Sequence, residues 1–218
     1  MNYNSGLFTY KLKDDVGFAP NPFGGMLTLA TCKPLIRKHK NIGDWVAGFT
    51  SKALVKDKNY SPKLIYLMQV TDKVNFEKYW NDKQYEDRKP KKSDIIMEKI
   101  GDNIYKPSPS SLEGFEQQQN LYHYDMDIKR DLSGEFVLIS TRYYYFGGSP
   151  IEIPAEISPK IPKGQSAHGV KGFNDDKKKE DFLSWIESNY AIGIHDKPHT
   201  WFQNDETYKL DSKYVGKK

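Results

Sequence analysis

Cysteine is all but missing from this 218-residue chain, and the one that is present, Cys32, has no partner for an internal disulfide. Long apolar runs are missing too. The longest, Leu64 to Met68, falls far short of the roughly 20 residues that cross a bilayer, so no membrane span is expected. The opening stretch, MNYNSGLFTYKLKDD, has neither the basic segment nor the apolar core of a signal peptide, and a cytoplasmic, reducing location is the expectation. Neither G-x-G-x-x-G nor G-x-x-x-x-G-K-[ST] occurs, which excludes the two standard glycine-rich phosphate cradles. A strong charge of one sign is also lacking. Lys and Arg number 33 against 29 Asp and Glu, a net charge of +4, which permits an anionic partner without demanding one. Plain duplex DNA is accordingly expected to bind only weakly at physiological salt.

What is there is a polar but core-forming composition, with 37% hydrophobic, 28% charged and 14% aromatic residues, which excludes a largely disordered chain. A chain of this length buries roughly 70% of the surface its unfolded form exposes, so one domain spanning 1–218 is expected without staples. The basic clusters Arg88-Lys89-Pro90-Lys91-Lys92, Lys177-Lys178-Lys179 and the terminal Lys217-Lys218 read as solvated faces and a short basic tail.

Period-two alternation at Phe8, Tyr10 and Leu12 predicts a half-buried first strand. The prolines and glycines of Gly17 to Gly25 predict turns, and Met26 to Thr31 a second strand. The turn Lys40 to Asp44 delivers Trp45 to Phe49 as a third. Leu64 to Val70 is apolar on both faces, which suits a central strand. Asn75 can cap a short helix that puts Phe76, Tyr79 and Trp80 on one face. Residues 106–119 show neither period and predict a long irregular loop. Strand character returns at Glu135 to Ser140 and Arg142 to Phe146. The clearest helix is capped by Asn174, carries a stripe of Phe182, Leu183, Ile186 and Tyr190, and ends near Gly193. The fold class expected is α+β: a curved, mostly antiparallel sheet with flanking helices, or a partly open PUA-like barrel.

His195 and His199 stand four apart, but Pro198 and Gly193 argue against the helix that would pair them, so no metal and no cofactor is expected. Cys32 has a cationic neighbour, Lys33, which suits a nucleophilic thiol, while a lone cysteine in an apolar strand more often packs. Gly101-Asp102-Asn103-Ile104-Tyr105 gathers a carboxylate, an amide and a phenol in one turn, able to read a base edge and stack on its face, or else to form a plain Asx turn. Arg142 to Gly148 carries aromatics on both faces of a strand, for packing or for stacking.

With Gly17-Phe18-Ala19-Pro20-Asn21-Pro22-Phe23, Leu29-Ala30-Thr31-Cys32-Lys33-Pro34-Leu35-Ile36-Arg37, Gly43-Asp44-Trp45-Val46, Tyr79-Trp80, Gly101 to Tyr105 and Tyr145-Phe146-Gly147-Gly148 in this order, the sequence resembles the second nucleotide-modification-associated domain family over most of residues 5 to 200. The resemblance implies small prokaryotic and phage proteins linked by genomic association to DNA base modification, with no settled reaction. Gly43-Asp44-Trp45 followed by Leu64 to Val70 is also similar to PUA-like barrels such as EVE and ASCH domains, which hold a modified base in an aromatic pocket.

Two readings follow. In the first, a nucleotide or modified nucleobase, free or in modified DNA, lies between Trp45, Tyr105 and Tyr145. Asp102 and Asn103 read its edge, and Lys33 and Arg37 neutralise phosphate. In the second, an enzyme acts on such a ligand with Asp102 as general acid or base, assisted by Asn21, Cys32 or His123. A third use of the aromatics is the subunit interface of a homodimer. The first two require the four segments Thr31 to Arg37, Asp44 to Trp45, Asp102 to Tyr105 and Tyr145 to Gly147 to converge on one pocket.

Overall fold

The computed structural model describes residues 5–57, 59–123, 125–164 and 166–201. The first four expected strands all form: β1 (Leu7–Lys11), β2 (Leu27–Leu29), β3 (Trp45–Phe49) and β4 (Leu64–Gln69). A six-stranded sheet runs in the order β10-β1-β3-β4-β9-β11, where β9 is Arg142–Tyr145, β10 Val170–Lys171 and β11 Gly193–Ile194. The pairs β1–β3 and β9–β11 are parallel and the remaining pairs antiparallel. β4, apolar on both faces, lies in the interior of the sheet, as its composition requires.

The chain crosses between this sheet and a smaller one four times, first into and out of β2. β4 passes into β5 (Asp72–Asn75), and β8 (Phe136–Ser140) passes into β9, so that β2, β8 and β5 form a second, three-stranded antiparallel sheet. Both sheets are open, with edge strands at each end of their order, so the barrel alternative gives way to an α+β fold of open sheets.

Pleating assigns each residue to a core. From β3, Trp45, Ala47 and Phe49 point to one side of the large sheet, where they meet Phe182 and Ile186 of α6 (Asp176–Asn189). Each of those two side chains is fully buried and contributes about 1.5–3 kcal/mol. Val46, Met68, Tyr143 and Tyr145 point to the other side and join Leu27, Leu29 and Leu138 of the small sheet. A third cluster packs Phe76 and Tyr79 of α3 (Phe76–Asn81) beneath the small sheet, against Tyr105 and Val137. Asn75 caps α3 as expected, its Oδ1 accepting the Lys78 N–H at 2.8 Å.

Three expectations are corrected. Residues 106–119 contain a hairpin, β6 (Tyr105–Pro107) with β7 (Phe115–Gln117), whose three-residue strands are too short to display a period. The α6 cap is Asp175, one residue beyond Asn174, its carboxylate accepting the Lys177 N–H at 2.8 Å. Gly193 does not end that helix, which closes at Asn189. The glycine opens β11 with φ +125°. The basic tail at Lys217-Lys218 lies outside the described residues.

Candidate active site

Between β2 and α1 (Pro34–His39) the chain turns through two consecutive residues with positive φ, Cys32 at 55° and Lys33 at 39°. Neither is glycine, and such a conformation costs about 1–3 kcal/mol per residue unless the surroundings impose it. Here they do. The Cys32 N–H donates to Asp131 Oδ1 at 2.8 Å, and the buried Arg37 returns from α1 to donate from Nε to the Cys32 carbonyl at 2.8 Å. Arg37 also donates to the carbonyls of Phe136 and Asp131, at 2.7 and 2.5 Å. The thiol therefore sits on a clamped turn and not in a strand, and it is half-exposed.

Asp131, on α5 (Ile128–Leu132), gathers the site. Its Oδ2 accepts from the Tyr105 hydroxyl at 2.8 Å and lies 2.7 Å from His123 Nε2. The guanidinium groups of Arg130 and Arg37 stand 3.6 and 3.9 Å from Oδ1. Cys32 Sγ is 3.9 Å from the same His123 nitrogen. Asn120 Oδ1 accepts the N–H groups of both Tyr122 and His123 at 2.8 Å, fixing the loop that carries the imidazole. Phe18 packs on its ring with centroids 4.8 Å apart.

Burial disfavours a charge on His123, but Asp131 and the Cys32 sulfur outweigh it and push the imidazole up to about 10. Burial likewise raises Asp131, yet His123, Arg37 and Tyr105 hold it below the ordinary carboxylate range. At neutral pH the pair is therefore an imidazolium beside a carboxylate. Burial brings Arg37 down to about 10 against the pull of Asp131, which leaves it charged, and burial lowers Lys33 as well.

Cys32, Lys33, His123 and Arg130 lie on the wall of a cleft of about 840 Å³. Tyr10, Phe18 and Tyr122 supply aromatic surface, Lys13, Lys33 and Arg130 supply positive charge, and Cys32 and His123 open into it. That volume and mixture suit a small-molecule site.

Of the residues singled out in the sequence, Cys32, Lys33 and His123 line this cleft, while Arg37 and Tyr105 hold it from behind through Asp131. The other segments do not converge there. Asp102 is 1% exposed, with its oxygens taken by the hydroxyls of Thr28 at 2.5 Å and Tyr79 at 2.8 Å. Asn103 donates to the Tyr79 carbonyl at 2.7 Å, and Asn21 ties Arg88 to the Ile100 carbonyl. Trp45 lies in the α6 core under the Arg142 guanidinium, and the fully buried Tyr145 donates to Asp15 Oδ1 at 2.6 Å. The turn chemistry of Gly101 to Tyr105 and the aromatic run of β9 are thus spent on the interior. Asp131, Tyr10, Phe18, Tyr122 and Arg130 were not expected. Asp131 reads as an ordinary charged residue in Lys129-Arg130-Asp131, and nothing local marks it.

Cys32, His123 and Asp131 also present donor atoms within 4.8 Å of one another, a set a soft divalent ion could use. Two guanidinium groups within 4 Å of the carboxylate, and the hold on a proton that Asp131 gives His123, favour the protonated pair over a cation there.

Fold and site together define an α+β protein with a thiol–imidazole–carboxylate cluster on the wall of an aromatic, cationic cleft. The chain belongs to the nucleotide modification associated domain 2 family, whose model matches residues 4–205. That membership sets the protein in the context of nucleotide modification. No curated protein and no solved structure matches the chain. Among the described residues no helix is long and apolar enough to cross a membrane.

Proposed function

We propose that the cleft binds a nucleotide or modified nucleobase and that Cys32 attacks it as a nucleophile. The observation that carries this is that Cys32 and His123, the latter held by the buried Asp131, open into a cleft that also offers aromatic rings and cationic side chains. A base stacked on an aromatic ring gains about 1–3 kcal/mol, and in this reading Lys33 and Arg130, which line the cleft, meet its phosphate. Acid–base work, assigned to Asp102 from the sequence, passes in this reading to His123.

The imidazolium of His123 stabilises a thiolate at Cys32, and Asp131 holds the ring in place. The Cys32 sulfur donates an electron pair to an electrophilic carbon of the ligand as the bond from that carbon to its leaving group breaks. The leaving group takes the His123 proton. The products are a carbon–sulfur adduct, a neutral imidazole and the protonated leaving group, with no net oxidation. Water, deprotonated by His123, then displaces the sulfur and restores the thiolate–imidazolium pair.

Because the chain has one cysteine, alkylation by iodoacetamide followed by intact-mass spectrometry reports on this thiol alone. At pH 7 the wild-type protein should be alkylated faster than free cysteine, His123→Gln should slow it about tenfold or more, and saturating nucleoside monophosphate should protect it. A thiol no faster than free cysteine and indifferent to His123→Gln would refute the nucleophile. Failure of every nucleotide to protect would refute the ligand.

A further inference from the structure

A second concavity, of about 600 Å³, adjoins the first and has no part in the chemistry above. Its lining includes Trp80, Lys89, Lys91, Lys92, Lys99 and Leu121. The two are separated by a single step of the chain, since residues 118–121 face the groove while Tyr122 and His123 face the cleft. Consecutive Cα atoms lie about 3.8 Å apart, less than the spacing of nucleotides along an extended strand. The dividing ridge is also stiff, because Asn120 Oδ1 binds the N–H groups on its cleft side.

The groove's charge is arranged for exchange. Lys89 and Lys91 are paired with Glu86 at 2.6 Å and Asp87 at 2.9 Å, but those carboxylates are 64% and 85% exposed. Exposed pairs of this kind are worth about 0–1 kcal/mol, so a phosphodiester can take over either lysine at little cost. Lys92 and Lys99 make no ion pair among the described residues. The Lys89 ammonium lies 4.3 Å from the Trp80 ring centroid, which sets a cation and an aromatic side by side as strand-binding channels do.

We infer that the ligand is one residue of a single-stranded polynucleotide whose flanking backbone lies in this lysine groove. The inference rests on the nucleotide reading of the cleft and names its substrate class. A base paired and stacked in a duplex cannot reach a recessed thiol, whereas a base in a single strand enters the cleft without breaking pairs. The groove then holds the neighbouring phosphates, and the ridge at Leu121-Tyr122 sets the register between backbone and reacting base.

The test compares a labelled single-stranded ten-nucleotide DNA with its mononucleotide, from 20 to 200 mM salt, on the full chain. The oligonucleotide should bind at least about tenfold tighter at low salt, with log K falling by about 2–3 per decade of salt if the groove lysines each displace a counterion. Lys92→Ala combined with Lys99→Ala should flatten that slope by about 1.4 and weaken the oligonucleotide about fivefold or more, while mononucleotide protection of Cys32 stays unchanged. Equal affinity for oligonucleotide and mononucleotide, or a double variant that binds normally, overturns the inference and leaves the cleft reading intact. Preference for the duplex overturns the single-strand assignment. If the mononucleotide fails to protect Cys32, the cleft reading itself has failed, whatever the groove does.

Discussion

Replacing Asp131 with Asn tests the site without reference to any ligand. The carboxylate is fully buried between His123, Tyr105 and the Cys32 N–H, with Arg37 and Arg130 close by. Removing one partner of a buried pair costs about 3–5 kcal/mol, and Asn keeps the shape and one acceptor, so the lower end, about 3 kcal/mol, is expected. In a chain of this size that lowers Tm by about 6–12 °C at pH 7. The loss depends on pH, with a sign that can be worked out. His123 has its folded pKa raised to about 10, so its contribution is complete below its ordinary value near 6.5 and disappears as the pH climbs through about 10. Asp131, held low, contributes above its ordinary range and is lost only in acid. From pH 7 to pH 9 the wild-type protein therefore surrenders up to about 2 kcal/mol of this stabilisation, after allowance for water in the cleft, and the variant surrenders little. Thermal unfolding at pH 6, 7, 8 and 9 should show the two curves drawing together by about 4–8 °C. A gap that stays constant over this range, or a variant as stable as the wild type at pH 7, would refute the imidazolium–carboxylate pair.

Two further substitutions separate scaffold from site. Asp102→Ala should cost about 3–5 kcal/mol, because it leaves the buried Thr28 and Tyr79 hydroxyls without their acceptor and removes the charge that faces the buried Arg88, yet Cys32 in the folded protein should be alkylated at the wild-type rate. Normal melting with lost nucleotide protection would return Asp102 to the binding site. Gly134→Ala puts a Cβ 2.6 Å from the Arg37 guanidinium, which must then shift and loosen its hold on the Cys32, Phe136 and Asp131 carbonyls. A loss of about 1–3 kcal/mol together with slower alkylation is expected, and a stable variant with unchanged thiol reactivity would show that Arg37 does not position the turn.

The local features of the sequence determined much of the scaffold. Alternation at Phe8, Tyr10 and Leu12, the two-sided apolar run of β4 and the Asn75 cap each encode their element, since strand pleating and capping act within a few residues. The family was equally legible, being carried by ordered short motifs. Where those motifs would meet was another matter. The turn at Asp102 and the aromatics of β9 look like a binding surface in the sequence, but a second sheet and a helix close over them, and burial turns their hydrogen-bonding groups inward. Cys32 reads as a strand residue because its left-handed backbone is imposed by Arg37 and Asp131 and not by its neighbours. His123 and Asp131 lie 91 and 99 residues from Cys32 in the chain. No local preference acts over such a distance, so the cluster exists only because the small sheet brings the end of β2 against α5 and its preceding loop, where one buried carboxylate can bind all three segments.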